Sequence, residues 1–371
     1  MPNYFSPGIY VEEVPSGARP IGPVGTSTAG FVGVAPNPAL NVDRALAVNN
    51  WTEFLDLYLK DMPNPQGTAL SRAVFGFFDN GGTRCWVINV GENGQISGSG
   101  RKRSGLQLLE TVDEVSIVAA PGFHGAVATD ALLSMAEKLR TMVAICDPAP
   151  DVDDISSLTR VGVASDKPPK PPKGDEAPVE DAASRPRQSE YGTFYYPWIR
   201  VRDPITGELV YTPPSGHIAG IWARTDALRG VHKAPANEPI RGAVDLAYML
   251  TRSEQDVLNP KGVNCIRFFA GEGIRVWGAR TLAAEASEWR YLNVRRLTIA
   301  LEQAIGNGTR WMVFEPNDYG LWRSIRRDIG AFLTRVWRDG ALLGRTPEEA
   351  FFVKCDEETN PADVRDAGMV V

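Results

Sequence analysis

The chain has 371 residues, 43% hydrophobic and 23% charged, with a formal net charge of −6. That is enough to bury one large core or two moderate ones, in a composition ordinary for a globular protein. No run approaches the roughly 18 apolar residues that span a bilayer. The N-terminal MPNYFSPGIYVEEV has no basic or continuous apolar leader region, so assembly in the cytoplasm is expected.

In chain order, Pro2, Pro7, Pro15 and Pro20 surround one β-prone run, Ile9, Tyr10 and Val11. Too little apolar surface accompanies it to fold alone. Residues 1–20 therefore read as an extended arm whose unpaired backbone joins another sheet. Residues 29–34 read as a buried strand. From 42 to 214 helix-like and strand-like patterns alternate. Residues 51–59, 69–78 and 130–143 have helical apolar spacing, and 85–90 and 115–119 have strand length. This alternation predicts an α/β fold with at least partly parallel strands. Gly81 and Gly82 mark a helix-to-strand turn. Two stretches look unstructured: 91–105 is Gly/Ser-rich, and 165–190 is rich in proline and charge and reads as a mobile surface loop.

Beyond Pro214, strands are expected at 263–269 and 274–277, joined as a hairpin around Gly271 and Gly273. A helix over 291–305 places Leu292, Leu297, Leu301 and Ile305 on one side, and Trp311–Phe314 reads as a strand closed by Pro316. The helix over 321–338 carries an apolar stripe of Ile325, Ile329, Phe332, Leu333 and Val336. Arg323, Arg326, Arg327 and Arg338 lie on its flank, within about 120° by the helical period.

Chemical motifs are sparse. Gly271–Gly278 and Asn80–Gly82 contain glycine pairs but no complete phosphate loop, and read as tight turns. His124, His217 and His232 have no metal spacing, and no GxSxG elbow exists to need a base. Asp147, Asp151, Asp153 and Asp154 lack the calcium-loop pattern and read as a solvated loop capping the next helix. Cys85, Cys146, Cys265 and Cys355 read as buried free thiols, the last ending the strand-like AFFVKC. No catalytic residue, cofactor or metal is expected. Charge is unevenly spread: residues 261–338 hold 13 Lys/Arg against 7 Asp/Glu, and residues 345–371 hold 3 against 7. Such asymmetry suits matched contacts between copies or with an acidic protein surface. Both tryptophans of the basic helix, Trp322 and Trp337, fall near its apolar stripe, which argues against nucleic acid.

Several longer motifs stand in a fixed order: PGIYVEEVPSGARPI (7–21), GTSTAGFVGVAP (25–36), YYPWIRV (195–201), PPSGHIAGIWARTD (213–226), GVHKAPAN (230–237), VNCIRFFAGEGIRVWGART (263–281), WRYLNVRRL (289–297) and WMVFEPN (311–317). Together they resemble the contractile tail sheath family of phage tails, tailocins and related injection systems. The resemblance implies a mixed α/β protein that is structural, not enzymatic. Its copies would form hexameric rings or a helical sheath around an inner tube protein, with baseplate and terminator proteins at the ends. It implies a core domain of residues 21–40 plus 215–360, an inserted outer domain of 41–214, and extended terminal arms at 1–20 and 361–371. Ile9, Tyr10 and Val11 would be donated to neighbouring subunits, as would Met369, Val370 and Val371, where the family pattern continues into a further strand and this chain stops. A helix of the core domain would touch the tube partly by charge, a role that falls on Arg323, Arg326, Arg327 and Arg338. Two other readings stay open: a soluble α/β module recruiting an acidic partner through the same helix, and an α/β enzyme with a pocket near Gly271–Gly278.

Overall fold

A computed structural model describes residues 20–60, 62–92, 94–98, 103–152, 154–162 and 184–371. The predicted arm at Ile9, Tyr10 and Val11 lies outside them, as do Asp153 and most of the 165–190 stretch. The chain divides into two compact units, Val24–Glu302 and Met1–Pro23 with Gln303–Val371.

The larger unit begins with β1 (Ala29–Gly33), β2 (Ala45–Val48), α1 (Trp51–Tyr58), α2 (Ala69–Asp79), β3 (Cys85–Asn89) and β4 (Ile117–Ala119). It continues through α3 (Ala126–Leu139), β5 (Val143–Cys146), β6 (Gly192–Tyr196), β7 (Ile199–Arg202), β8 (Leu209–Thr212) and α4 (Ser215–Arg229). β9 (Glu238–Pro239), β10 (Ala243–Leu246), α5 (Arg252–Leu258), β11 (Val263–Phe269) and β12 (Gly273–Val276) follow, then α6 (Leu292–Thr309), whose residues after Glu302 belong to the smaller unit. One sheet has the order β2-β3-β1-β4-β5-β6-β11-β12-β9, and a second has the order β10-β7-β8. In the first sheet neighbouring strands from β3 to β11 are parallel and the pairs at its two edges antiparallel, while the second sheet is antiparallel. β1, β4, β5 and β6 are buried at every position. Runs such as AGFVG and VAIC are apolar throughout because both faces of the parallel sheet are covered.

The smaller unit holds α7 (Tyr319–Arg338), α8 (Pro347–Ala350) and α9 (Ala362–Asp366). Trp311–Phe314 is not the expected strand. A short 3-10 turn occupies Arg310–Met312, and Phe314 takes φ 73, in the left-handed region that interrupts an extended run. The AFFVKC run also joins no sheet.

Other differences from the sequence reading have several causes. The helix expected at 130–143 ends at Leu139, where Arg140 turns left-handed, and Val143 opens β5. Within 91–105, Ile96 is buried and its carbonyl accepts from Leu106. The described end of the 165–190 loop is anchored. Buried Arg185 donates to the Lys261 carbonyl at 2.6 Å, and Arg187 pairs with Glu137 and Asp130. The expected split between 21–40 and 41–214 does not follow the sheet, because β1 pairs with both β3 and β4.

α4 crosses α2 at very short range. A Cβ on Gly216 would come within 2.3 Å of the Ala73 backbone, and one on Gly220 within 2.4 Å of the Phe77 carbonyl oxygen. Because α4 is buried on all sides from Ser215 to Thr225, it has no polar stripe and carries His217 into the core. Asp147 follows β5 and is buried, contrary to the solvated loop expected. Its carboxylate accepts from the Ser215 amide at 3.1 Å and hydroxyl at 2.5 Å, at the start of α4. Asp154 does cap, accepting from the Ser156 amide at 2.8 Å.

Three of the long motifs meet at one buried ion pair. Arg296 on α6 donates to both oxygens of Asp226 on α4, at 2.9 and 2.7 Å, with side chains 4% and 6% exposed. The same guanidinium donates to the Thr26 carbonyl at 2.8 Å, and the Thr26 hydroxyl donates to Asp226 at 2.6 Å. Arg296 also lies over the Trp222 ring at 4.7 Å, and Arg295 over the rings of Tyr191 and Trp289 at 4.1 and 4.6 Å. The buried positions of α6 therefore include Leu292, Arg295, Arg296 and Ile299, whereas Leu297, Leu301 and Ile305 are half-buried. Nearby, Asn293 donates to the His232 carbonyl at 2.9 Å and Thr281 to the Trp289 carbonyl at 2.7 Å.

Two predictions follow from these buried charges. Asp226→Ala leaves Arg296 buried without its partner and should cost about 3–5 kcal/mol by urea denaturation. A loss below about 1 kcal/mol would mean the pair is not the constraint described. Burial pushes the Asp147 carboxyl up to about 7 and the His217 imidazole down to about 4. Asp147 thus contributes stability that is full below its unfolded value near 3.8 and lost as pH rises to about 7. His217 contributes stability that is full above 6.5 and lost as pH falls to about 4. The slopes oppose between pH 4 and 6.5. Asp147→Asn should leave stability that rises with pH across that window, and His217→Gln stability that falls. Identical profiles for both variants and the parent would sink the assignment.

Candidate functional site

The basic helix forms as its spacing predicts, beginning two residues earlier at Tyr319. Asp318 caps it by accepting from the Leu321 amide at 2.9 Å. Leu321 and Trp322 make a small core with Cys355, against Trp311, Met312 and Ile325. The Trp322 indole donates to Asn317 at 2.7 Å, and its ring meets Tyr319 edge-on at 4.9 Å. The Trp337 indole donates to the Gly344 carbonyl at 2.9 Å. Both tryptophans are thus committed to packing.

Arg323, Arg326, Arg327 and Arg338 are all exposed. The first three are close together, while Arg338 stands about 17 Å further along the axis at 1.5 Å per residue. They form a cationic stripe rather than a cluster. Arg327 also donates to buried Asp328 at 2.9 Å. Arg335, absent from the predicted set, donates to the Ile21 carbonyl. Ile21 is buried, and a Cβ on Gly308 would come within 2.6 Å of its side chain, so the chain following the predicted arm is fixed beside α6 and α7.

The apolar stripe of α7 is only partly covered. Phe332 is buried, but Ile325, Ile329, Leu333 and Val336 are half-buried. Ile325 and Ile329 line an open groove of about 660 Å³ together with Met312, Val353, Val370 and Val371. At its margin Phe314 is 102% exposed. Residues 351–355 alternate between half-buried and exposed and end on buried Cys355, the pattern of a strand with one face covered. Met369, Val370 and Val371 form no strand. Val370 and Val371 line the groove, Asn317 donates to Met369, and Thr359 and Asn360 donate to Val371. These asparagines lacked a signal in the sequence, because nothing in the spacing of a lone Asn shows which backbone it will meet.

Reactive chemistry finds little support. All four cysteines are buried and free, and burial pushes their thiols up, away from the thiolate. Among the described residues no group of three His, Cys, Asp or Glu could hold a metal. Gly271 and Gly273 form the turn between β11 and β12, with φ 80 at each. Among the described residues no helix is long and apolar enough to cross a membrane. What the smaller unit offers is a cationic stripe and an apolar groove.

Comparison with known proteins agrees. Residues 110–282 match the phage tail sheath protein central domain, and residues 284–371 match the phage tail sheath C-terminal domain. The tail sheath protein of Vibrio phage KVP40 is 35% identical over 164 residues, 43% of this chain and 24% of that protein. That of Burkholderia phage BcepMu is 29% identical over 184 residues, 47% of this chain and 37% of that protein. The chain thus covers well under half the length of these relatives. The contracted PVC sheath complex of an extracellular contractile injection system superimposes with a TM-score of 0.78 and 26% identity, covering 100% of this chain and 93% of that one. The contracted helical sheath of the anti-feeding prophage gives 0.74 and 29%, covering 98% and 93%. The succession of motifs, the fold and the two matched domains lead to one assignment: the chain belongs to the phage tail sheath protein family.

Proposed function

We propose that this chain is a structural subunit of a contractile sheath, which polymerises around an inner tube and contracts to drive that tube through a target envelope. The observation that carries this reading is the likeness along the whole chain to a sheath protein in its contracted state. Likeness to the anti-feeding prophage baseplate, with a TM-score of 0.74 and 28% identity, favours a baseplate protein as a partner at one end. Terminator proteins at the other end and assembly in the cytoplasm belong to the same reading. Catalysis has no part in it, and the likenesses lend no support to an independent binding module.

A sheath must stay connected while its subunits rotate, and main-chain pairing through extended arms survives such rotation. Ile9, Tyr10 and Val11 supply the donated strand. The unpaired, alternating stretch at 351–355 and exposed Phe314 supply an acceptor edge whose apolar side chains a neighbour would cover. A contact that does not close on itself then propagates as a helix. The cationic stripe of α7 faces the tube.

Expression with a tube protein and negative-stain electron microscopy test the reading directly. Striated hollow tubes are expected, and small closed oligomers alone would refute it. Deleting residues 1–20 should give folded subunits that do not polymerise; normal sheaths from that chain would remove the arm. Changing Arg323, Arg326, Arg327 and Arg338 together to Glu should leave the unfolding transition within a few degrees and abolish co-assembly with the tube. Because Arg327 neighbours Asp328, a triple variant that spares it guards against a folding defect. Undiminished tube attachment in the triple variant would sink the charge model.

A further inference from the structure

We propose that a cavity beside the α2–α4 crossing binds a small, neutral, largely apolar molecule carrying one hydrogen-bond acceptor, and that the His217 side chain supplies the donor for it. The cavity holds about 310 Å³, near the lower end of the roughly 300–1,000 Å³ of small-molecule sites. It lies wholly within the larger unit, between α2, α4 and the turn from β7 to β8. Phe75 of α2, Val201 of β7 and Pro204 of the turn give it apolar walls.

The buried polar groups of the wall are committed to one another, with one exception. Arg72 of α2 donates from Nη1 to Asp203 Oδ2 at 2.9 Å and from Nε to the Thr212 hydroxyl at 3.3 Å. The other Asp203 oxygen accepts from the Ile205 and Thr206 amides at 2.8 and 3.1 Å, which holds the turn. Arg202 and Asp79 also border the cavity and are exposed. Two arginines against two aspartates leave no net charge, so neither a cation nor an anion is favoured.

The exception is His217, which is 3% exposed and lines the cavity from α4. Its Nδ1 is sealed from solvent without a hydrogen-bond partner, and among the described residues the ring makes no other side-chain hydrogen bond. Nε2 is equally unpartnered but not sealed, which leaves it toward the cavity. The ring is fixed in place: a Cβ on Gly76 would come within 2.3 Å of Cε1, so the imidazole packs directly on the α2 backbone. Burial pushes it down to about 4, so at neutral pH it is the uncharged ring, with one N–H and one lone pair. Stranded N–H groups are rarer than stranded acceptors, which puts the lone pair on sealed Nδ1 and the proton on Nε2. A buried donor without a partner weakens the fold, and nothing in the larger unit offsets that. A ligand oxygen at Nε2 would. Such a ligand needs an apolar body to meet Phe75, Val201 and Pro204, and a ketone, ether or hydroxyl oxygen at one end. The proposal does not depend on assembly into a sheath.

Cyclohexanone and methylcyclohexane are matched probes, alike in shape and different in the acceptor. The chain has three histidines, so isotope-labelled histidine gives three ring systems, with His217 assigned through His124→Gln and His232→Gln. Long-range nitrogen–proton spectra should show the His217 ring alone shifting as cyclohexanone is added. Its affinity should exceed that of methylcyclohexane about fivefold, the worth of one neutral hydrogen bond. In His217→Phe, which keeps a ring and removes the donor, ligand-detected NMR should show both probes binding alike. No His217 shift with either probe up to its solubility limit overturns the site. Equal affinity of the parent for the two probes overturns the role of the histidine, as does a preference for cyclohexanone that persists in His217→Phe. The comparison of probes on the unaltered chain decides the matter even where the variant fails to fold.

Discussion

The buried pair of Arg296 and Asp226 is the constraint on which the larger unit depends. Taking two charges out of water costs several kcal/mol per ion, and only complete hydrogen bonding offsets that cost. Here the demand is met by a bidentate contact, the Thr26 hydroxyl and carbonyl, and the Trp222 ring. Satisfying it brings three distant places together: the entry to the interior strand β1, the end of α4, and the first turns of α6. Apolar burial alone is non-directional and would tolerate a slide between these elements. A fork of two parallel hydrogen bonds tolerates very little.

The same economy explains the contrast between the two units. In the larger one, strands covered on both faces and a helix buried all round leave few apolar positions open. In the smaller one, α7 closes over a core as slight as Leu321, Trp322 and Cys355, and Ile325 and Ile329 of its apolar stripe border a groove. A surface of this kind is the usual mark of an interaction site. The arginine stripe belongs to the same helix, so a single element presents an apolar side and a cationic side within the smaller unit.

The strands β1, β3, β4, β11 and β12 and the helices α1, α2, α3, α6 and α7 were legible because their signals are local: an apolar run of strand length, or a stripe at helical spacing; the remaining strands and helices were not singled out. Cys85–Asn89, Val263–Phe269 and Tyr319–Arg338 all formed within two residues of expectation. Polar groups in the interior were not legible, since their meaning depends on partners far away in sequence. Arg296 occupies a core position of α6 that the spacing assigned to leucine. Asp147 reads as solvent-facing until the start of α4 is laid against it. Arg185 and Arg187 turn the end of an apparently mobile stretch into an anchored one. Phe314 fails for a different reason, because a left-handed residue inside an apolar run has no compositional signature.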